Sequence, residues 1–452
     1  MPSPILYLPF KVPVRYDLVQ PLANWLDDDE SQVGFNNRSS SYSHSHSHTE
    51  VDAAPAMTIP KPAYNSIQCR SELLRIAALR NCMSEALQDS HKSALEEHEM
   101  LRDCQDYHAT LLEFEKRGFP TGGGGDADEE NGINLTWKGG FSDDDGSQKA
   151  GGIGVTETHH TLLWDRACTL WNIAALRSAA AALDTDDKTK EGLKSAISHL
   201  QQAASHLSLC RQILEHSREN EYISTVDLSK PMLQFWEKML LAQAQTCIYK
   251  MANLEGSSVR NHTTLAFLIQ GAAPLYNEAL TLAQDPRLQS ELPTRCQEWA
   301  AHCKAQSLVC QARAYFHMSI EMRLSKTHGR EIGRLRQAVA ALNTVLDFCK
   351  STQILKEAAS LFNKESAKNS RGGTTIGPIA EAAASIQPEV EGLLRLASDR
   401  LKAAEEDNRT VYLEDVPNPR NLQEIRSQTL VKTDLPLPEA MLRSRANLFG
   451  WE

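Results

Sequence analysis

Apolar residues recur at helical spacings over most of the chain, and from Glu157 to Gln284 the pattern predicts an almost continuous run of helices. One predicted helix pair is "TLLWDRACTLWNIAALRSAAAAL" with "EGLKSAISHLQQAASHLSLCRQIL", joined by the polar "DTDDKTK". A second pair is "KPMLQFWEKMLLAQAQTCIYKMA" with "TTLAFLIQGAAPLYNEALTLA", in which Pro274 predicts a kink or a restart. Frequent alanines let such helices approach closely, as in tetratricopeptide-type hairpins.

The same periodicity predicts helices on both sides of this run. They cover Tyr64 to about Lys116, a hairpin from about Pro293 to Ser325 and from about Arg330 to Lys350, and a last helix from Glu389 to Glu406. The chain is therefore predicted to be mostly all-α.

Two short stretches carry a strand pattern instead. The N-terminal "PILYLPFKVPVRYDLVQPL" alternates apolar and polar residues between prolines, which is typical of an edge strand. The later "INLTWKGGF" predicts a short strand and turn that pairs with it. A small N-terminal β-sheet is expected.

Four polar or glycine-rich stretches interrupt these patterns, at about 27–62, 119–132, 142–155 and 364–378. Their composition predicts flexible insertions within a single domain that covers 1–452. The glycines of "PTGGGGDADEENG" form no phosphate-binding loop, because no Gly-Lys-[Ser/Thr] ends the run and no strand precedes it.

Near the C-terminus, "AEEDNRTVYLEDVPNP" departs from the helical pattern. Asp407 and Asn408 are predicted to stop the last helix, "VYL" to run extended, and the two prolines of "VPNP" to oppose a restart. The segment from about 407 to 440 is therefore predicted to be an extended strap that returns along the helices and helps to build a partner-binding surface.

The composition excludes several classes of protein. A formal net charge of −11 argues against a general nucleic-acid or anionic-membrane binder. No run of about 18 apolar residues is present and the first residues do not resemble a signal peptide, so we expect no transmembrane segment. Ten cysteines scattered without CxxC pairs are typical of reduced thiols, which predicts a soluble cytoplasmic protein.

No catalytic, metal-binding or cofactor-binding motif stands out, and the chain is not expected to be an enzyme. Alternating histidines in a polar tract make a metal site conceivable, but a flexible tract predicts no specific one. Three cysteines seven residues apart share one helix face, where a redox or metal cluster competes with the interpretation, favoured here, of small residues filling a helix seam. These residues are His44, His46, His48, Cys296, Cys303 and Cys310.

Several motifs along the whole chain resemble those of one family. They are the opening "YLPFKVPVRYDLVQPL", the "TWK" of the predicted strand, "CTLWNIAALRSAAA", "MLLAQAQTCIYKMA", and the strap "DNRTVYLEDVPNPRNLQEIRSQTLVKTDLP". Together they resemble the Bro-one (BRO) domain family of the ALIX-like type, here as a stand-alone domain without the coiled-coil arm or proline-rich tail. The resemblance implies a curved, tetratricopeptide-like helical array with a small β-sheet.

The resemblance also implies a function. Domains of this family bind the amphipathic C-terminal helix of an ESCRT-III subunit (the charged-multivesicular-body-protein-four type) in an apolar patch, a helix-in-groove mode of recognition. Alignment through "LAQAQ", "TTLAFLIQGAA" and "TLVK" places the patch at Ile248, Thr264, Leu268 and Leu430, with Leu265 as a possible substitute for Thr264.

Helical periodicity gives the patch separate but ambiguous support. Two apolar stripes run along the helix that carries Ile248, one through Leu241 and Ala244 and the other through Trp236 and Cys247. One stripe must face the core while the other can stay open, and periodicity alone also permits both to be core.

Tyr412 in the strap has two readings. The family resemblance implies a tyrosine that is phosphorylated in some members, which adds a charge of about −1.5 to −2. The simpler prediction, preferred here, is that Tyr412 anchors the strap against the helices with its phenol at the rim.

The resemblance therefore predicts a non-catalytic adaptor without cofactors, cytoplasmic and recruited to endosomes through its partners, that acts in multivesicular-body sorting or membrane remodelling. One alternative is a signalling scaffold of the same fold, in a pH or stress pathway, that recruits a protease. Another is a generic tetratricopeptide-type peptide-binding protein, which predicts a groove lined by Lys, Arg and Asn instead of an apolar patch.

Overall fold

Helices account for most of the residues that the computed structural model describes. These residues are 6, 8–13, 74–81, 94–116, 135–141, 156–159, 161–186, 189–216, 225–254, 261–351 and 378–433. The three histidines at 44, 46 and 48, the predicted insertions up to residue 377 and the strap beyond residue 433 lie outside them.

Besides a helical segment over 74–81, the described residues form ten helices and three strands. In chain order the helices are α1 (Ala94–Lys116), α2 (Leu162–Asp186), α3 (Lys190–His216), α4 (Lys230–Leu254), α5 (His262–Gln270), α6 (Ala272–Ala283), α7 (Pro286–Glu291), α8 (Pro293–Leu324), α9 (His328–Ser351) and α10 (Pro378–Asp407). The strands are β1 (Val12–Pro13), β2 (Leu135–Lys138) and β3 (Thr156–His159). The mostly helical fold with a small sheet is thus confirmed.

The sheet is antiparallel, with the order β1–β2–β3. Pairing of the "LTWK" strand with the N-terminal strand was predicted and is confirmed by the register Pro13↔Trp137. The prediction that the helical run begins at Glu157 is wrong, because β3 occupies that position and α2 begins only at Leu162. The short "TETH" pairs with β2, and Thr158 bonds Thr136 across the strands at 2.7 Å.

Most other predicted helix boundaries within the described residues hold to within a few residues, and the predicted helix start at Tyr64 lies outside those residues. The chain restarts as α6 one residue after α5 ends, with Pro274 in the first turn of α6, where its missing N–H costs little. The α8–α9 hairpin is confirmed. The last helix begins by Pro378 instead of Glu389, because the alanine-rich "AEAAAS" favours helix and the helix accommodates Pro388 in its interior.

The described residues divide into two compact units, each described by itself. The larger unit contains those of Met1–Phe10, Gly140–Gly154 and Leu170–Pro436, and the smaller unit contains those of Lys11–Gly139 and Val155–Thr169.

The smaller unit is organised around one buried carboxylate, that of Asp165. Its Oδ1 accepts hydrogen bonds from Trp137 Nε1 at 2.6 Å and Arg80 Nη2 at 3.2 Å, and its Oδ2 accepts one from the Tyr107 hydroxyl. Burial and the Asp165 charge raise the pKa of Tyr107, which stays a neutral donor. The 74–81 segment, α1, β2 and α2 are therefore joined by one charge-assisted network.

Asp165→Asn should destabilise this unit strongly, because it removes the negative charge that pairs with the buried Arg80 guanidinium. Removing one partner of a buried ion pair costs about 3–5 kcal/mol, measurable as a shift in urea denaturation followed by circular dichroism. Asp186→Asn, at an exposed site on the same helix, is the matched control and should change little. Equal stability of the two variants would contradict the assigned role of Asp165.

In the larger unit an aromatic cluster packs α4 against α8. The Phe235 ring stacks on Trp299 with centroids 4.9 Å apart, and Trp236 meets Trp299 edge-on at 5.7 Å. Phe141 contacts Trp171 and Trp299, so the turn after β2 joins the same core. Offset and edge-to-face pairs of this kind add to the hydrophobic burial.

His302 lies fully buried in the same unit, and neither ring nitrogen has a hydrogen-bond partner among the residues that the structure describes. Burial lowers the pKa of His302 to about 4, and burial likewise lowers that of His206 to about 4. Both imidazoles are therefore neutral in the folded protein at pH values where the unfolded chain, with a pKa of about 6.5, already takes up protons.

The larger unit should lose stability as the pH falls from about 6.5 towards 4, because the folded pKa values are depressed and protons bind the unfolded chain first. Between about pH 7.5 and 5, His302 alone should account for about 2 kcal/mol of this loss. In His302→Leu, the free energy of unfolding measured by urea denaturation should therefore fall by about 2 kcal/mol less over this pH range than in the wild type. An unchanged slope in the variant would mean that other groups cause the acid sensitivity.

Candidate partner-binding site

A single buried glutamine holds the C-terminal strap onto the helices. Gln245, on α4, donates from Nε2 to the Leu268 carbonyl at 2.8 Å and to the Gln428 carbonyl at 3.0 Å. Its Oε1 accepts from the Leu430 backbone N–H at 2.9 Å. One fully buried side chain thus joins α4, α5 and the strap, and its three bonds replace water that burial removes. We call these three hydrogen bonds the Gln245 clasp. Sequence reasoning used Gln245 only as part of the "LAQAQ" motif; the available signal was a polar residue inside an apolar helical stripe.

The strap crosses the helices at Gly271, between α5 and α6. A Cβ on this glycine would lie 2.2 Å from the Gln428 carbonyl oxygen, so the crossing requires glycine. At the same place the Gln428 N–H donates to the Phe267 carbonyl at 3.0 Å, and the Thr429 hydroxyl donates to the Gly271 carbonyl at 3.2 Å. The strap therefore returns along the helices, as predicted.

Upstream of this crossing, α9 holds the strap. Gln337 Nε2 donates to the Pro419 carbonyl at 2.7 Å, and Arg334 donates to the Gln423 carbonyl. Gly329 lets the chain pass closely, since a Cβ there would lie 2.2 Å from the Asp415 carbonyl oxygen.

The predicted extended conformation of "VYL" is wrong. α10 ends at Asp407 as predicted, but Asn408–Tyr412 continues as a π-helical turn and Leu413 takes the left-handed conformation at φ 54°. The cause is the Asn408 side chain, which accepts from the Glu414 N–H at 3.1 Å and donates to the Glu414 carbonyl at 2.9 Å. These two bonds close the turn.

This turn places Tyr412 flat against His328 at the start of α9. The ring centroids are 3.5 Å apart with an interplanar angle of 8°, and 44% of Tyr412 remains exposed. The ring thus contacts the helices while the residue stays accessible at the surface.

The residues predicted to form the patch differ in exposure. Leu268 and Leu265 on α5 are 5% and 4% exposed, so they offer little surface, whereas Leu430 on the strap is 48% exposed. Ile248 is half-buried and Thr264 is exposed, with its N–H capped by Asn261. Gln245 brings Leu268 and Leu430 together; the structure gives no comparable link for Thr264 or Leu265.

The two apolar stripes of α4 do not divide into a core face and an open face. Leu241 and Ala244 are buried, and so are Trp236 and Cys247 on the other stripe. Apolar surface opens towards the end of α4, at half-buried Ile248 one turn from Gln245, at half-buried Met251 and at Leu254, which is 49% exposed.

The three cysteines on α8 are buried and form no disulfide. Burial raises the pKa of Cys296 to about 11 and that of Cys310 to about 12, and it raises the pKa of Cys303 as well. Protonated, buried thiols are poor nucleophiles and poor metal ligands, which agrees with the helix-seam interpretation. Among the described residues, no group of three or more His, Cys, Asp or Glu side chains is arranged to hold a metal ion.

The model of the family described as "BRO1-like domain" matches residues 57–450. This chain belongs to the BRO1-like domain family. The BRO1 fold is also seen in a solved "ALIX BRO1 CHMP4C complex", with a TM-score of 0.64, 21% identity and 99% of both chains covered.

A second solved structure, titled "Structure basis for endosomal targeting by the Bro1 domain", gives a TM-score of 0.66 at 15% identity and covers 99% of this chain and 98% of that one. Among curated proteins, the chain is 28% identical over 278 residues to the "pH-response regulator protein palA/prr-1" of Neurospora crassa, a match that covers 61% of this chain and 28% of the relative. The chain spans less than a third of the length of the first curated relatives that it matches. Within the described part of the BRO1 chain, no helix is both long enough and apolar enough to span a bilayer.

Gln245→Ala should release the strap at its crossing, because it removes three hydrogen bonds. It leaves the Gln428 carbonyl and the Leu430 N–H without their partner, whereas the Leu268 carbonyl still accepts from the Gly271 N–H. We expect a destabilisation of about 1–3 kcal/mol and faster amide hydrogen exchange at Gln428 and Leu430. Hydrogen exchange with mass spectrometry would measure both. Gln234→Ala, on the same helix, is the matched control; unchanged exchange at the strap in Gln245→Ala would show that other contacts hold it.

Proposed function

We propose that this chain is a non-catalytic adaptor that binds the amphipathic C-terminal helix of an ESCRT-III subunit. The observation that carries this proposal is the clasp by Gln245, which fixes the exposed Leu430 next to α4 and α5. Ile248 and Leu430 would supply the open surface of the patch, Leu268 would contribute little surface because it is 5% exposed, and Thr264 and Leu265 would lie at the border. The chain would be cytoplasmic and recruited to endosomes through its partner.

The geometry suits a helix-in-groove mode. Val431 is 7% exposed and its neighbour Leu430 is 48% exposed, so the strap buries one side chain and presents the other. Ile248 contributes half-open aliphatic surface at the end of its stripe. A ligand helix with apolar residues at i, i+3 and i+4 would cover such a narrow surface with its own anchors.

The open apolar area is modest, and this bears on affinity. Each buried methylene contributes about 0.8 kcal/mol to the free energy of binding. Ile248 and the polar Thr264 together can therefore bury less apolar surface than two large hydrophobic side chains would. We therefore expect micromolar binding, at which recruitment depends on the local concentration of the ESCRT-III partner.

The comparisons support the same proposal. The BRO1 chain shares the fold of an ALIX domain whose structure is titled as a complex with CHMP4C, and of a Bro1 domain titled for endosomal targeting. We infer a role in multivesicular-body sorting or membrane remodelling. In this setting Tyr412 would anchor the strap, and its exposed surface leaves it open to phosphorylation as the alternative role.

A second candidate is a signalling scaffold of the same fold. The match to a pH-response regulator of Neurospora crassa favours it. It would use the same patch, and a second partner, such as a protease, would distinguish it from the endosomal adaptor. A generic tetratricopeptide-type peptide binder is the third candidate; it is less favoured because Leu430 is exposed and is linked to Leu268 through Gln245.

Leu430→Asp should abolish binding of an ESCRT-III C-terminal helix without unfolding the protein, because it places a charge at an exposed apolar position. Fluorescence anisotropy with a labelled helical peptide should give a dissociation constant of about 1–100 μM for the wild type and a loss of at least about tenfold in the variant.

Leu396→Asp is the matched control, since Leu396 on α10 is 55% exposed and lies outside the patch. Circular dichroism should show both variants folded. Equal loss of binding in both variants, or no binding by the wild type, would remove the support for this patch.

A further inference from the structure

A groove lies beside the strap, upstream of the Gln245 clasp and apart from Leu430. It has a volume of about 530 Å³, within the range of about 300–1,000 Å³ usual for ligand sites. One wall is the strap, from Pro417 and Asn421 to Arg426. The other walls are α5, α8 and α9.

The floor of this groove is apolar and adaptable. Met318 and Met322 lie one turn apart on α8, and Phe267 on α5 adds an aromatic ring. All three are only partly buried. Methionine side chains are flexible and polarisable, and such surfaces accept aliphatic side chains of differing shape.

The rim of the groove is basic in a chain whose formal net charge is −11. Arg330 and Arg426 are exposed there, Arg334 lines the groove as a buried residue, and Glu424 is the one acidic residue among the lining residues. Arg334 is occupied, since it bonds Gln337 at 2.8 Å and the strap carbonyl of Gln423. The exposed guanidinium groups of Arg330 and Arg426 form no ion pair or hydrogen bond with any residue that the structure describes.

The part of the strap that lines this groove has backbone groups without a hydrogen-bond partner among the described residues. α9 fixes the strap at Pro419 and Gln423, and α5 fixes it again at Gln428. Between these anchors, the N–H and C=O groups of residues 424–426 make no hydrogen bond within the described part of the chain. A peptide backbone can pair with such groups, as in the addition of a strand to an exposed edge.

We propose that this groove, which we call the arginine groove, binds an acidic peptide segment with alternating aliphatic residues. Its carboxylates would pair with Arg330 and Arg426, its aliphatic side chains would lie on Met318 and Met322, and its backbone would bond the strap. An extended peptide places alternate side chains on opposite faces, which matches a groove that is apolar at its floor and basic at its rim. This second site is independent of the helix-binding patch proposed above.

A peptide fits this groove better than an anionic lipid headgroup does. Glu424 lies among the arginines and repels a compact polyanion, whereas a peptide can direct its carboxylates away from Glu424. The methionine floor has no role in binding a headgroup.

The test uses the full chain and a fluorescein-labelled peptide of about ten residues in which Glu and Leu alternate, with a Gln-for-Glu peptide beside it. Fluorescence anisotropy should show binding that weakens as salt increases, and the Gln peptide should bind at least about tenfold more weakly. The double variant Arg330→Glu with Arg426→Glu should also lose at least about tenfold, since each attractive pair becomes a repulsive one.

Arg420→Glu is the matched control, because Arg420 is exposed on the same strap but does not line the groove. It should retain binding within about twofold, while Met322→Gln should weaken binding severalfold through the floor. Leu430→Asp should leave peptide binding intact, which separates this proposal from that of the helix-binding patch.

Three results would overturn the proposal. Equal losses in Arg420→Glu and in the double variant would show diffuse electrostatic attraction, and equal binding of the Gln peptide would show that carboxylates are not recognised. Arginine-dependent binding to vesicles that contain a phosphoinositide, without binding to the peptide, would assign the groove to a lipid headgroup instead.

Discussion

The position of the C-terminal strap depends on one buried amide. Gln245 bonds α5 and the strap at once from its position on α4, with three bonds between 2.8 and 3.0 Å. A strap of irregular structure cannot satisfy its own backbone groups, so it needs partners from the helices that it crosses. Gln245 supplies them where Gly271 allows the closest approach.

The clasp also determines what the two candidate sites can do. Downstream of it, Val431 is buried and Leu430 is presented, which forms the edge of the proposed helix-binding patch. Upstream of it, the strap is anchored by Arg334 and Gln337, and it becomes a wall of the arginine groove. One element thus contributes to an apolar surface on one side of its crossing and to a basic groove on the other.

The smaller unit follows the same physical rule with a charged group. Asp165 is buried among donors from three other segments of the chain, as Gln245 is buried among backbone groups of two. In both cases a polar side chain inside an apolar helical stripe specifies which segments come together, since an unmatched partner would be left buried and unsatisfied. Apolar packing alone, such as the Phe235–Trp299 stack, has no comparable directional requirement.

The local pattern of apolar and polar residues was sufficient to predict most of the helices and the strand pairing of the fold. Helical periodicity identified the α8–α9 hairpin, Pro274 marked the restart of α6, and "LTWK" was identified as the strand that pairs with the N-terminus. The failures were also local in origin: "TETH" pairs as β3, and Asn408 closes a turn in which "VYL" cannot run extended. Helical periodicity could not show whether α4 keeps an apolar face open, because burial depends on neighbours that are distant in sequence. Tertiary structure alone decided that Leu268 is buried while Leu430 is exposed, that Gln245 joins residues more than 180 positions apart, and that three arginines from α9 and the strap line one groove. The reason is physical: spacing along one helix fixes which side chains share a face, whereas the exposure and charge of a site depend on the segment that packs over that face.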